Sequence, residues 1–114
     1  MAELTEEEAQ KLMDSLNRFE PKDVHVALDA IDGHPLRGPH VGHQRTGARP
    51  VEAPGVEAGV LIYRSEDGLY RLRITVTEMT GAFYDELVLP GANLRGLGAA
   101  LLSTLEERHA PMDP

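Results

Sequence analysis

Hydrophobic residues recur at helical spacing near the start of the chain. Thr5 and Glu8 have the spacing of a capping box, in which each side chain accepts a hydrogen bond from a backbone N–H at the start of a helix. The apolar positions that follow fit one face of a helix: Ala9, Leu12, Met13, Leu16 and Phe19. Pro21 ends this run. We therefore predict an amphipathic helix over residues 6–19.

After Pro21 the apolar positions alternate with other residues. The alternating positions are Val24, Val26, Leu28 and Ala30. A period of two is typical of a half-buried strand, so we predict a strand that ends at Asp32 and Gly33. Glycine and proline then recur through residues 33–59, which predicts a long loop. Loops of this length are usually either functional or disordered.

Three strands are predicted in the second half of the chain, at residues 60–64, 69–78 and 83–89. Glu66-Asp67-Gly68 predicts the first turn, with glycine in the left-handed position, and Thr80-Gly81 predicts the second. Alternation of apolar and polar residues along these strands predicts a three-stranded antiparallel meander with one apolar face. Pairing about the second turn sets Leu87 beside Ile74 and Leu89 beside Leu72.

The last predicted element is a helix with a leucine stripe. Asn93 is its predicted N-cap, and the helix runs to about His109. The stripe consists of Leu94, Leu97, Leu101, Leu102 and Leu105. The predicted fold is a single α+β domain over residues 1–114, in the order helix, strand, long loop, antiparallel meander, helix. Both helices are expected against one face of the sheet.

Composition and charge narrow the classes of function. The 114-residue chain has no cysteine, a net charge of -8 and an acidic N-terminal stretch in place of a signal peptide, so we expect a cytoplasmic protein. No apolar run is long enough for a membrane span. Negative charge disfavours nucleic acid and is compatible with a basic protein partner. Residues 33–51 are locally basic, with three arginines and no acid.

The motif Arg95-Gly96-Leu97-Gly98-Ala99-Ala100 follows a predicted strand and opens a predicted helix. Glycines at such a point let backbone N–H groups approach a phosphate. The motif resembles the pyrophosphate loop of the GNAT family of acyl-CoA-dependent acetyltransferases, and the resemblance covers about residues 83–107. It implies an acyl-CoA-binding fragment in which Arg95, Gly96 and Gly98 contact the pyrophosphate.

Three histidines lie in the predicted loop and suggest a metal site. His40 and His43 have a spacing that lets two imidazoles meet one metal ion, His34 is nearby, and Asp32 adds a carboxylate. Three such ligands suit zinc with an open position. The alternative, which we prefer, is a solvated or anion-contacting surface, because arginines lie beside these histidines in the sequence. That interpretation requires no cofactor.

Two sets of charged residues lie on the predicted strands. Asp85 shares a face with Leu87, where a carboxylate must be paired or hydrated. Such an acid can serve as a general acid, but we expect a hydrated strand end. Arg71 and Arg73 are expected on the outer face near Tyr63. Arginines beside an aromatic ring suit the binding of single-stranded nucleic acid, but aromatic residues make up only 4% of the chain. We therefore expect these arginines to pair with Glu86.

No complete catalytic signature occurs in the sequence. The predicted role is that of a small acidic, non-enzymatic binding or regulatory protein. It would act on a protein partner through its acidic surface, the loop at 33–59, or both. The alternatives are the acyl-CoA-binding fragment and a sheet face that binds single-stranded nucleic acid. No feature of the sequence indicates whether the protein is a monomer or an oligomer.

Overall fold

The computed structural model describes residues 4–32, 44–52 and 57–108, which form three helices and five strands. The helices are α1 (Glu6–Leu16), α2 (Pro21–Asp32) and α3 (Gly91–Arg108). The strands are β1 (Gln44–Arg45), β2 (Arg49–Pro50), β3 (Gly59–Arg64), β4 (Tyr70–Glu78) and β5 (Gly81–Leu89). The predicted α+β class is confirmed. No described helix combines the length and hydropathy needed to span a membrane.

The strands form one antiparallel sheet with its apolar face against the helices. The predicted meander of β3, β4 and β5 is confirmed, and β1 and β2 pair with the other edge of β5. Alternate residues of β4 and β5 meet the apolar stripes of α2 and α3 in a single core. Its most deeply buried large side chains include Leu16, Leu28, Ile31, Leu72, Ile74, Leu87, Leu89, Leu94, Leu101 and Leu105.

The pairing of β4 with β5 differs from the prediction by two residues. Leu87 pairs with Leu72, and Leu89 pairs with Tyr70. The hairpin turns at Met79-Thr80, one residue earlier than expected, so that Glu78 pairs with Gly81. A shift of two preserves the side-chain alternation, and the leucines therefore still face the core.

The predicted strand after Pro21 is wrong, because this segment is helix α2. Val24, Ala27, Leu28 and Ile31 are all buried, and they follow the i, i+3, i+4, i+7 spacing of one helix face. Pro21 occupies the first helical position, where its fixed φ angle suits a helix and its missing N–H costs nothing. The apolar residues of this segment fit both the helical period and the period of two of a strand, so their pattern alone allows a helix or a strand. Pro21 at the first position favours the helix.

Helices α1 and α3 differ from their predictions at the ends. Helix α1 stops at Leu16, three residues early, and Asn17 is its C-cap. The Asn17 side chain donates to the Val60 carbonyl and accepts from the Val60 N–H, both at 2.8 Å. It thereby satisfies part of the free edge of β3. Helix α3 starts at Gly91, so the predicted N-cap Asn93 lies inside the helix.

Two short strands, β1 and β2, lie inside the predicted loop at 33–59. Arg45 pairs with Leu87 and Arg49 with Tyr84, so three residues of this segment oppose two residues of β5. The extra residue makes a β-bulge, and Gly47 takes a positive φ of 79° there. A bulge of one residue switches the faces, which places Arg45 and Arg49 on opposite sides of the sheet. Residues 33–43 and 53–56 lie outside the described part.

Candidate functional site

The first group of charged residues surrounds the buried carboxylate of Asp85 on the inner face of β5. Arg45 Nε donates to Asp85 Oδ2 at 2.8 Å, and Arg45 Nη2 lies 2.6 Å from the same oxygen. Arg45 Nη2 also donates to Asp29 Oδ1. His25 Nε2 lies 3.3 Å from Asp85 Oδ2, and His25 Nδ1 lies 3.7 Å from Asp29 Oδ2. We call these four residues the Asp85 cluster.

The hydrated strand end expected for Asp85 is wrong, since the residue is 0% exposed. The register pairs Asp85 with Ile74 in the interior of the sheet. Arg45 supplies the opposite charge that makes this burial tolerable. Burial alone acts against the charged form of Arg45, but its hydrogen bonds to Asp85 and Asp29 outweigh burial and raise the pKa of the guanidinium.

The second group of polar residues lies on the outer face of the sheet, around Glu86. Arg71 Nη1 donates to Glu86 Oε1, and Arg73 Nε donates to Glu86 Oε2, each at 3.0 Å. The Tyr63 hydroxyl also donates to Oε2 at 3.0 Å. The Arg73 guanidinium lies over the Tyr84 ring, 4.8 Å from its centroid. We call these five residues the outer network, and they confirm the expected pairing of both arginines with Glu86.

The outer network is held in place by mutual contacts. Burial raises the pKa of the Tyr63 hydroxyl, and the hydrogen bond to Glu86 raises it further, so the phenol stays protonated as a donor. The hydrogen bond to Glu86 also raises the pKa of Arg71. Thr46 fixes the Glu86 backbone, because it accepts from the Glu86 N–H and donates its own N–H to the Glu86 carbonyl. The arginines are therefore ordered before any ligand binds.

Two open clefts meet on the outer face at Arg73 and Thr75. One, of about 490 Å³, lies towards β2 and includes Arg49 and Tyr84 in its lining. The other, of about 460 Å³, lies towards β3 and includes Leu61. The outer face therefore offers a recessed surface with arginine, tyrosine and leucine side chains.

The chain was compared with protein-family models, curated proteins and solved structures. No match was found. We therefore infer the function from the geometry and charge of the Asp85 cluster and the outer network.

The residues predicted to bind a pyrophosphate lie within helix α3. Arg95 Nη2 pairs with Glu8 Oε2 at 3.0 Å, and Gly98 is buried where α1 crosses α3. A Cβ at Gly98 would lie 2.5 Å from a Leu12 methyl carbon. The Leu94 N–H already donates to the Pro90 carbonyl, so the free N–H groups at the start of α3 belong to residues 91–93, and the motif begins after them. Gly98 therefore serves helix packing, and acyl-CoA binding stays a prediction.

The predicted metal ligands His34, His40 and His43 lie outside the described residues, as does the side chain of Asp32. Sequence analysis missed His25, Asp29 and Arg45 as members of a site. His25 and Asp29 are four residues apart. This spacing puts two residues on the same face of a helix and also on the same face of a strand, so it does not distinguish the two elements. Only a helical assignment would have brought both side chains within reach of the same group. No local signal links Arg45 to Asp85, because they are 40 residues apart.

Proposed function

We propose that the protein is a small non-enzymatic binding protein that holds a protein partner on the outer face of its sheet. The observation that carries this proposal is the outer network, which presents arginine and tyrosine side chains on the face opposite the helical core. The absence of cysteine favours the cytoplasm as the place where it acts. Its regulatory role would be to change the activity of the protein that it binds.

The residue types of the outer face support a protein interface. Tyrosine and arginine are enriched among the residues that contribute most to protein–protein affinity. Leu61, on the same face, is 47% exposed, and Arg71 and Arg73 keep about a third of their side-chain surface accessible. Because Glu86 already orders both arginines, binding would cost little additional side-chain entropy.

The charge around this face favours a basic partner. Exposed acidic residues lie at the ends of the strands and clefts of the outer face: Glu52, Glu57, Glu66 and Asp67. We call these four residues the acidic rim. Charges at the rim act mainly on the rate of association. The net charge of -8 would also speed the association of a basic partner. The partner would therefore meet acidic groups first and the outer network last.

The alternative of single-stranded nucleic acid has one supporting observation, namely that Tyr63, Tyr84 and both arginines share a face. Three observations weigh against it. Glu86 neutralises part of the arginine charge, Arg73 covers one face of the Tyr84 ring, and the net charge of -8 repels phosphates. A protein partner therefore fits better.

A photo-crosslinking amino acid at Leu61 tests the proposal in the native host. The matched control carries the same amino acid at Ser103, which is exposed on α3. We expect mass spectrometry to identify one protein that is crosslinked from Leu61 and not from Ser103. The crosslink should be lost when Arg73→Ala is added. Crosslinks to nucleic acid, or equal crosslinks from both positions, would contradict the proposal.

A further inference from the structure

Three side chains of the Asp85 cluster have the chemistry of metal ligands. His25 and Asp29 lie one turn apart on α2, and Asp85 faces them from β5. One ligand atom from each residue lies within 4.8 Å of the other two. Ligands about 2.1 Å from a tetrahedral zinc ion are roughly 3.4 Å apart. The 3.3 Å from His25 Nε2 to Asp85 Oδ2 already has this spacing, and the half-exposed Asp29 has room to move closer.

An independent observation at Asp85 also points to a ligand. Its side chain is 1% exposed, and Oδ1 has no hydrogen-bond partner among the described residues. A buried carboxylate oxygen without a partner is costly, and such groups are uncommon in folded proteins. A cation bound by both oxygens of Asp85 would satisfy Oδ1 and keep the ligand spacing through Oδ2.

Arg45 is the cation that occupies this position in the structure. Its guanidinium contacts both Asp29 and Asp85, the two carboxylates that a metal ion would need. Two carboxylates and one guanidinium leave one negative charge, whereas two carboxylates and a divalent ion with neutral His25 are balanced. A bound divalent ion and Arg45 in its present place would repel each other.

We propose that His25, Asp29 and Asp85 form a binding site for a divalent transition-metal ion of the zinc type, which the ion enters in exchange for the Arg45 guanidinium. One imidazole and two carboxylates suit such an ion, with a fourth position left for water or a further ligand. Because Arg45 belongs to β1, the exchange detaches its side chain from the inner face of β5. The metal ion and the Arg45 guanidinium therefore cannot contact Asp29 and Asp85 at the same time.

Titration of the full chain with Zn²⁺ by calorimetry tests this site. We expect one saturable site in the native protein. Asp29→Asn and His25→Ala should weaken binding at least about tenfold, whereas Arg45→Met should strengthen it about tenfold, since it removes the competing cation. The double variant His40→Ala/His43→Ala tests the loop site predicted from the sequence, and it should bind as the native protein does.

A second measurement guards against variants that fail to fold. Asp29 is exposed, so Asp29→Asn should keep its native circular dichroism spectrum and still lose affinity. Zn²⁺ should raise the melting temperature of Arg45→Met more than that of the native protein, because a ligand that binds only the folded state stabilises it. The proposal is overturned if the native protein shows no saturable binding, or if the loop double variant loses binding while His25→Ala retains it.

Discussion

Asp85 and Glu86 are adjacent in β5, yet their carboxylates face opposite sides of the sheet. Each one is neutralised by arginine from a neighbouring strand, Asp85 by Arg45 of β1 and Glu86 by arginines of β4. Both carboxylates are buried, so each depends on its partner far more than a surface ion pair does. Strand β5 is therefore held on both faces by polar contacts as well as by its leucines.

The dependence of Asp85 on Arg45 predicts a large loss of stability when the arginine is removed. Arg45→Met leaves Asp85 buried without its main counter-charge, and we expect a loss of about 3–5 kcal/mol in the free energy of unfolding. The double variant Arg45→Met/Asp85→Leu should recover much of this loss, because it removes both charges. Urea unfolding measures both values.

Arg49→Met is the matched control, since Arg49 lies four residues away on the exposed outer side of the bulge. Its effect on stability should stay within about 0.5 kcal/mol. Equal losses for Arg45→Met and Arg49→Met would show that the buried pair contributes nothing specific.

At the scale of elements, the crossing of α1 over α3 depends on a glycine. A side chain at Gly98 would collide with Leu12, whereas Gly96 is exposed on the same helix. Gly98→Leu should destabilise the protein by about 1–3 kcal/mol through overpacking. Gly96→Leu should be neutral or stabilising by up to about 1 kcal/mol, because leucine is the better helix former. Thermal unfolding of the two variants compares them, and similar values would refute the packing role.

The acyl-CoA alternative is tested at the same helix. A working pyrophosphate site would make CoA raise the melting temperature, because the ligand would bind only the folded state. We expect no shift, since the N–H groups at 95–98 lie beyond the open end of α3. Gly96→Leu leaves the packing intact and serves as the binding control. A saturable shift in the native protein that Gly96→Leu abolishes would favour the acetyltransferase resemblance.

The N-terminus of α1 predicts a dependence of stability on acid. The backbone hydrogen bond from Thr5 lowers the pKa of Glu8 below its ordinary 4.5, and the charge of Arg95 lowers it further. Because the pKa is lower in the folded state, the contribution of Glu8 is present above about pH 4.5 and is lost as the pH falls through the folded pKa.

Glu8→Gln should therefore be less stable than the native protein at about pH 7, and this deficit should shrink at about pH 3, because Glu8 loses its charge as the pH falls through its folded pKa. Glu7→Gln is the control, since it removes a charge from the same exposed helical turn. Urea unfolding at both pH values provides the comparison. A deficit in Glu8→Gln that persists in acid would contradict the role of the charge.

For the whole molecule, sequence could predict what depends on local patterns. The meander follows from alternating residues and from Gly68, which takes the predicted positive φ of 82°. The pairing of Arg71 and Arg73 with Glu86 follows from the same alternation. Sequence could not predict the Asp85 cluster, because it requires α2 to be a helix and Arg45 to turn inward before a bulge. The helix had a local signal in Pro21 at its first position, whereas the inward turn of Arg45 depends on contacts between residues far apart in the chain.

The distribution of charge over the whole molecule leads to a kinetic prediction for the proposed partner of the outer face. Acidic residues form the rim of the outer face, whereas arginines and tyrosines lie at its centre. Charges at a rim steer the encounter and change the association rate, whereas central contacts change the dissociation rate. Rim and centre should therefore be separable by mutation.

Surface plasmon resonance at several salt concentrations measures both rates. Glu52→Lys/Glu57→Lys should slow association about tenfold at low salt, and the difference should shrink as screening increases above roughly 0.1 M. Glu7→Lys/Glu106→Lys changes the net charge of -8 by the same amount, but on the helical side, and should slow association less. Arg73→Ala should mainly speed dissociation. If both double variants slow association equally, only net charge matters, and an association rate independent of salt would exclude electrostatic steering of the partner altogether.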